Sequence, residues 1–164
     1  MAEDPTRFDP YGLFETLDRH RISYIVVGAF ARVVQGAEEL TRGVDIVPST
    51  HPENLRRLGQ ALEDLNARGP TLDQATPVHE FATDCGQLKV VVEPAGTRGY
   101  DDLRRAATRE PLGRGVRPSV ASTGDLARML AALGREHDLP KLQMMRRVME
   151  LERGELQRSR AIER

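Results

Sequence analysis

Ile22-Ser23-Tyr24-Ile25-Val26-Val27-Gly28-Ala29, followed some dozen residues later by Thr41-Arg42-Gly43-Val44-Asp45-Ile46-Val47, is the stretch that decides the fold of this chain. Residues 22–27 are apolar and β-branched and run straight into a glycine, the pattern of a buried strand that ends in a tight turn. A short helix is predicted over residues 29–35. Residues 43–47 read as a second short apolar strand interrupted only by Asp45, and a carboxylate inside such a strand is a candidate for chemistry.

Outward from this pair, the pattern continues on both sides. Upstream, Leu13, Phe14 and Leu17 recur at helical spacing, with Asp9-Pro10 as cap and first-turn proline. Downstream, Pro48 ends the second strand and Ser49-Thr50 are expected to cap a helix over residues 52–67, whose Leu55, Leu58, Leu62 and Leu65 form one stripe. Arg68-Gly69-Pro70 stops it. Residues 71–83 are weakly patterned. Residues 87–92 read as a third strand before the turn Pro94-Ala95-Gly96, residues 100–107 as a short amphipathic segment, and residues 113–120 as an edge strand. Ser122-Thr123 caps a helix to about Leu133, and a last helix from about Pro140 places Leu142, Met145, Val148 and Met149 on one face. This order predicts an α/β (α+β) fold: a mixed sheet flanked by helices, with helices at the C-terminal end. One domain is expected over residues 1–164, its core at about 10–152, with a charged tail from Arg153 that is expected to fray.

The totals agree with an ordinary globular domain. The chain has 164 residues, 39% hydrophobic and 30% charged, enough for one core without staples. No apolar run approaches the roughly 20 residues a bilayer requires, and residues 1–10 are polar and acidic, unlike a signal peptide, so a cytoplasmic location and no membrane contact are expected. A net charge of −1 gives nucleic acid no overall field to follow. Cys85 stands alone, between Asp84 and Gly86, and is expected at a turn; the four histidines show no metal-ligand spacing. Of the 24 basic residues only Lys89 and Lys141 are lysine, which singles out their positions.

The pair Gly28-Ala29, the short helix after it and Thr41-Arg42-Gly43-Val44-Asp45-Ile46-Val47 together resemble the nucleotidyltransferase superfamily. The likeness is closest to the small bacterial members of toxin–antitoxin and abortive-infection systems. It extends through residues 86–88, residues 94–103 and residues 122–138, about Tyr24 to Leu151 in all. The fold it implies is the mixed sheet already predicted. It implies nucleotide binding by Gly28, Ala29, Arg42 and Arg135, and catalysis by carboxylates that hold Mg²⁺ and a nucleoside triphosphate. The physical requirement is plain: residues i and i+2 of a strand share a face, a third carboxylate on the neighbouring strand completes a two-ion site, and those ions align nucleophile and triphosphate.

Against that pattern, the first aspartate position holds Gly43, the neighbouring strand's carboxylate position holds Lys89, and the helix lysine falls on Leu130. Asp45 is the remnant, with Gly134, Arg135 and Asp138 also kept. One carboxylate binds a hard divalent ion poorly and a lysine repels it, so Asp45 is a weak metal candidate. Glu93 shares a face with Lys89 but lies four residues on, about 13 Å at about 3.3 Å per residue. Two fates of Lys89 stay open: its ammonium fills the vacated metal position and pairs with Asp45, or it reaches to solvent and leaves Asp45 hydrated.

The leading functional expectation is a catalytically degenerate binding module for a partner protein, a nucleotide or a nucleic acid, with no cofactor. The alternative is a working nucleotidyltransferase acting on tRNA, protein or a small molecule, which would take Mg²⁺ and a nucleoside triphosphate. A third is an interaction protein acting as a homo-oligomer through Arg98–Arg117 or the last helix. In the former, Asp101, Asp102 and Glu110 are interleaved with the arginines, which favours a solvated face.

Overall fold

A computed structural model describes residues 7–163, so residues 1–6 of the polar N-terminal stretch and Arg164 lie outside it. The first half of the chain folds as its periodicity predicts. Helix α1 (Pro10–Arg19) is capped by Asp9, whose Oδ1 accepts from the Gly12 amide at 3.1 Å, and it buries Leu13, Phe14 and Leu17. Strand β1 (Tyr24–Val27) is buried at every position and passes directly into α2 (Gly28–Val34). Strand β2 (Gly43–Pro48) and helix α3 (Pro52–Asp64) follow. The cap of α3 is His51, whose Nδ1 accepts from the Glu53 amide at 3.3 Å, and not Ser49-Thr50; Asn54 instead ties the loop down by donating to the carbonyls of Ser23 and Ser49.

The weakly patterned segment contains a strand. β3 (Val78–Thr83) pairs antiparallel with β4 (Gly86–Val91) along its whole length and forms the sheet edge. Its inward residues are His79, Phe81 and Thr83, all buried, so polar groups stand where an alternating apolar signal is usually read. Cys85 sits in the turn between the two strands, and its carbonyl accepts from the Asp9 amide at 2.9 Å.

After a one-turn helix α4 (Tyr100–Leu103) comes a two-residue strand that the sequence did not announce, β5 (Thr108–Arg109); of the edge strand predicted over residues 113–120 only β6 (Ser119–Val120) forms, and it lies between β1 and β5 rather than at the edge. The six strands are ordered β3-β4-β2-β1-β6-β5, with β2/β4 and β1/β6 parallel and the other pairs antiparallel. Helix α5 (Thr123–Leu133) starts at Ser122, whose Oγ accepts from the Asp125 amide, and ends at Gly134 in the left-handed conformation. A 3-10 turn (Glu136–Asp138) leads into α6 (Leu139–Ile162), which buries Met145 and Val148. The charged segment from Arg153 forms the last turns of this helix. Among the described residues no helix is long and apolar enough to cross a membrane.

Candidate functional site

The register of the sheet brings the singled-out residues to one place. Asp45 of β2 stands opposite Val27, the last residue of β1, which puts its side chain over the turn into α2. Gly28 adopts φ +72° there, and a Cβ on it would lie 2.3 Å from Asp45 Oδ2. Only glycine suits both the backbone and the space, since a left-handed residue with a side chain is strained and this one would also overlap the carboxylate.

On its other side Asp45 is in register with Lys89 of β4, and Lys89 with Glu80 of β3. Three adjacent strands thus carry an acid, a base and an acid in one row. The Lys89 ammonium is 3.6 Å from Glu80 Oε1, while among the described residues Asp45 makes no ion pair within 4.0 Å and no hydrogen bond. Of the two fates weighed for Lys89, pairing with Asp45 does not occur; the side chain is 41% exposed and its ammonium turns outward to the exposed carboxylate of Glu80 on the next strand. Glu80 was not singled out from sequence, because the strand that carries it was not visible.

Burial pushes the Asp45 carboxyl above its ordinary range, opposed by the nearby charges of Lys89 and Arg32 and aided by Glu80. Arg32, on α2, is itself buried and gripped by Glu39 at 2.6 and 3.0 Å, so its charge is largely committed.

Two clefts meet at Asp45 and Lys89. The first, of about 450 Å³, runs between the sheet and α5 and is lined by Gly28, Ala29, Arg32, Leu130 and Arg135 as well as by Glu93. The second, of about 310 Å³, lies towards β3 and is lined by Arg42, Gly43 and Glu80. Six of the residues singled out from sequence therefore share the first cleft, and Arg42 and Gly43 sit next door. Leu130 contributes an apolar wall with Leu126, Met129 and Leu133. Arg135 bonds Asp138 at 2.6 Å. Asp84 is not in either cleft; it lies in the β3–β4 turn, where it accepts from Asn66.

Gly43 is more than an absent carboxylate. A Cβ built on it would lie 2.5 Å from the Gln87 carbonyl oxygen and 2.8 Å from Gln87 Cβ, so β2 and β4 meet where a side chain would stand. Among the described residues, no three His, Cys, Asp or Glu side chains come together to hold a metal ion. What remains at the centre is one partly buried carboxylate, a lysine engaged elsewhere, a glycine turn and an apolar helix face. That set can bind and orient a ligand.

No protein-family model and no curated protein matches the chain. Solved structures do. A Thermotoga maritima protein provisionally assigned as a nucleotidyltransferase superimposes with a TM-score of 0.56 at 14% identity, over 93% of this chain and 90% of that one. The lincosamide antibiotic adenylyltransferase LnuA, solved with lincomycin, gives 0.61 at 15% identity over 87% of this chain and 99% of that one. The antibiotic-resistance factor ANT(2'')-Ia gives 0.60 at 12% identity over 92% and 91%. With the mixed six-stranded sheet, the glycine turn into α2 and the central Asp45 strand already in place, these superpositions establish that the chain has the nucleotidyltransferase fold.

Proposed function

We propose that this protein uses the nucleotidyltransferase fold as a binding module and does not transfer nucleotides. The observation that carries the reading is the row Asp45–Lys89–Glu80: the ammonium of Lys89 stands in register between the two acids and is paired with Glu80. Such a donor set does not fit Mg²⁺, which needs several oxygens in near-octahedral geometry and is repelled by a cation at the position of a ligand. No catalytic step is therefore assigned through a metal. Gly43 supports the same reading, since the close approach of β4 leaves no room there for a second carboxylate. From the motif at residues 41–47 and the segment at 122–138 we further infer a small bacterial, cytoplasmic protein of the toxin–antitoxin or abortive-infection kind. Its occupant is a partner protein or a nucleotide-sized ligand.

The test is calorimetric titration of Mg²⁺ with a nucleoside triphosphate, alongside transfer of labelled nucleotide. Weak or no metal-dependent binding is expected, with a gain in Lys89→Asp. Gly43→Asp is a poor second restoration, because the added side chain would drive β2 from β4. Labelled transfer that disappears in Asp45→Ala would overturn the proposal in favour of a working nucleotidyltransferase. That second reading draws on the retained Asp45 and on the fold shared with an adenylyltransferase.

A further inference from the structure

The charges on the cleft between the sheet and α5 are satisfied unequally. Every cation on its lining already has an acid: Lys89 has Glu80 at 3.6 Å, Arg32 has Glu39 at 2.6 Å, and Arg135 has Asp138 at 2.6 Å. The two carboxylates on the same lining do not. Among the described residues, Asp45 and Glu93 make no hydrogen bond and no ion pair within 4.0 Å. An anion entering here meets cations that are engaged, whereas a cation meets acids that are not.

The rest of the lining is apolar. Val27, Val91, Leu126, Met129, Leu130 and Leu133 face a space of about 450 Å³, within the range of small-molecule sites. A carboxylate partly buried without a partner is a standing free-energy cost, which an entering ammonium relieves through a charge-assisted hydrogen bond. The α5 wall then covers apolar surface of the same ligand, and Lys89, paired with Glu80 of β3, makes no ion pair with Asp45 within 4.0 Å.

We propose that this cleft binds a low-molecular-weight organic amine with an apolar body, its ammonium on Asp45 and its body on the α5 wall. The proposal rests on the reading of the cleft as a binding site and gives that site its ligand class. It also explains Leu130: a lysine there would bring a fourth cation to the space where the amine's body lies.

Three probes that share one body and differ in head group test it on the full chain at pH 7: 4-phenylbutylamine, 4-phenylbutanol and 4-phenylbutanoate, titrated by calorimetry. The amine is expected to bind at least tenfold more tightly than the other two, and to shift the amide resonances of Gly28 and Leu130. Asp45→Asn is expected to weaken the amine at least tenfold and leave the alcohol unchanged. Equal affinities for the three heads, tighter binding of the acid, or no saturable amine binding overturns the proposal. If Asp45→Asn does not fold, the comparison of heads and the shifts at Gly28 and Leu130 in the natural chain decide. A parallel titration with Mg²⁺ and ATP separates the two ideas. Metal-dependent nucleotide transfer defeats the non-catalytic reading without touching the amine comparison, and a failed amine comparison leaves the absence of transfer intact.

Discussion

Two aspartates in this protein sit in regions built to opposite rules. Asp138, in the elbow between α5 and α6, is 2% exposed and has basic side chains around it: Arg135 Nε at 2.6 Å from Oδ2, with Lys141 and the His137 ring, a cation only when protonated, each 3.7 Å from Oδ1. Burial alone would raise its carboxyl, but the hydrogen bond and charge of Arg135 and the charges of His137 and Lys141 outweigh it and hold the group below its ordinary range. Asp45, in the cleft, is partly buried and has no partner within 4.0 Å among the described residues, and burial raises its carboxyl. The elbow spends its carboxylate on holding two helices together. The cleft keeps its carboxylate uncommitted, as a place where something binds does.

Four measurements break or sharpen that contrast. Gly28→Ala has the largest expected effect, a loss of about 3 kcal/mol, combining left-handed backbone strain with overlap on Asp45 Oδ2. In an Asp45→Ala background only the strain should remain, about 1–2 kcal/mol. Equal losses in both backgrounds, read by urea melts, would show that Asp45 does not press on the turn. Next, Asp138→Asn should lower stability by about 2 kcal/mol, seen as a fall in Tm of roughly 4–8 °C. A smaller change would mean that Arg135 bonds the amide as well as it does the carboxylate.

Asp45→Asn should act in the opposite direction, a gain on the order of 1 kcal/mol at neutral pH. The sign follows from proton linkage. A carboxyl whose folded pKa is raised binds protons more tightly in the fold than in the unfolded chain, so its penalty is absent below the unfolded pKa and grows as pH rises through the folded one. The advantage of the asparagine should therefore vanish under acid conditions, and a gain that persisted at low pH would point to packing instead. The smallest effect belongs to Glu80→Gln, at most about 0.5 kcal/mol because the Lys89–Glu80 pair is exposed. Its readout is electrostatic: with Glu80 neutral, the Asp45 carboxyl titrates lower by NMR.

The sequence was legible where apolar residues alone carry the period. Leu13, Phe14 and Leu17 announce α1, residues 24–27 announce β1, and Leu58 and Leu62 announce α3, each because apolar residues make up most of the buried set there, with only Thr16 in α1 and Asn54 in α3 polar. β3 was illegible because His79 and Thr83 fill two of its inward positions. His79 satisfies Nε2 by accepting from the Asp73 amide at 3.2 Å, a contact with a loop that no local pattern reveals. That one miss also hid the partner of Lys89, which stands on the same strand. The candidate cleft was half legible: Gly28, Asp45, Lys89, Leu130 and Arg135 are drawn together as the motif implied, whereas the engagement of each cation by Glu80, Glu39 or Asp138 is a tertiary fact.

The contact between Gly43 and Gln87 also bears on how such a protein changes over generations. A single codon change that placed aspartate at 43 would meet the β4 backbone and be removed for poor folding before any gain in chemistry was felt. A path towards a two-carboxylate site would have to shift β4 first, by substitutions that bring no benefit of their own. Lineages sharing this strand spacing should accordingly vary around the cleft mouth and on the α5 wall, while position 43 stays small.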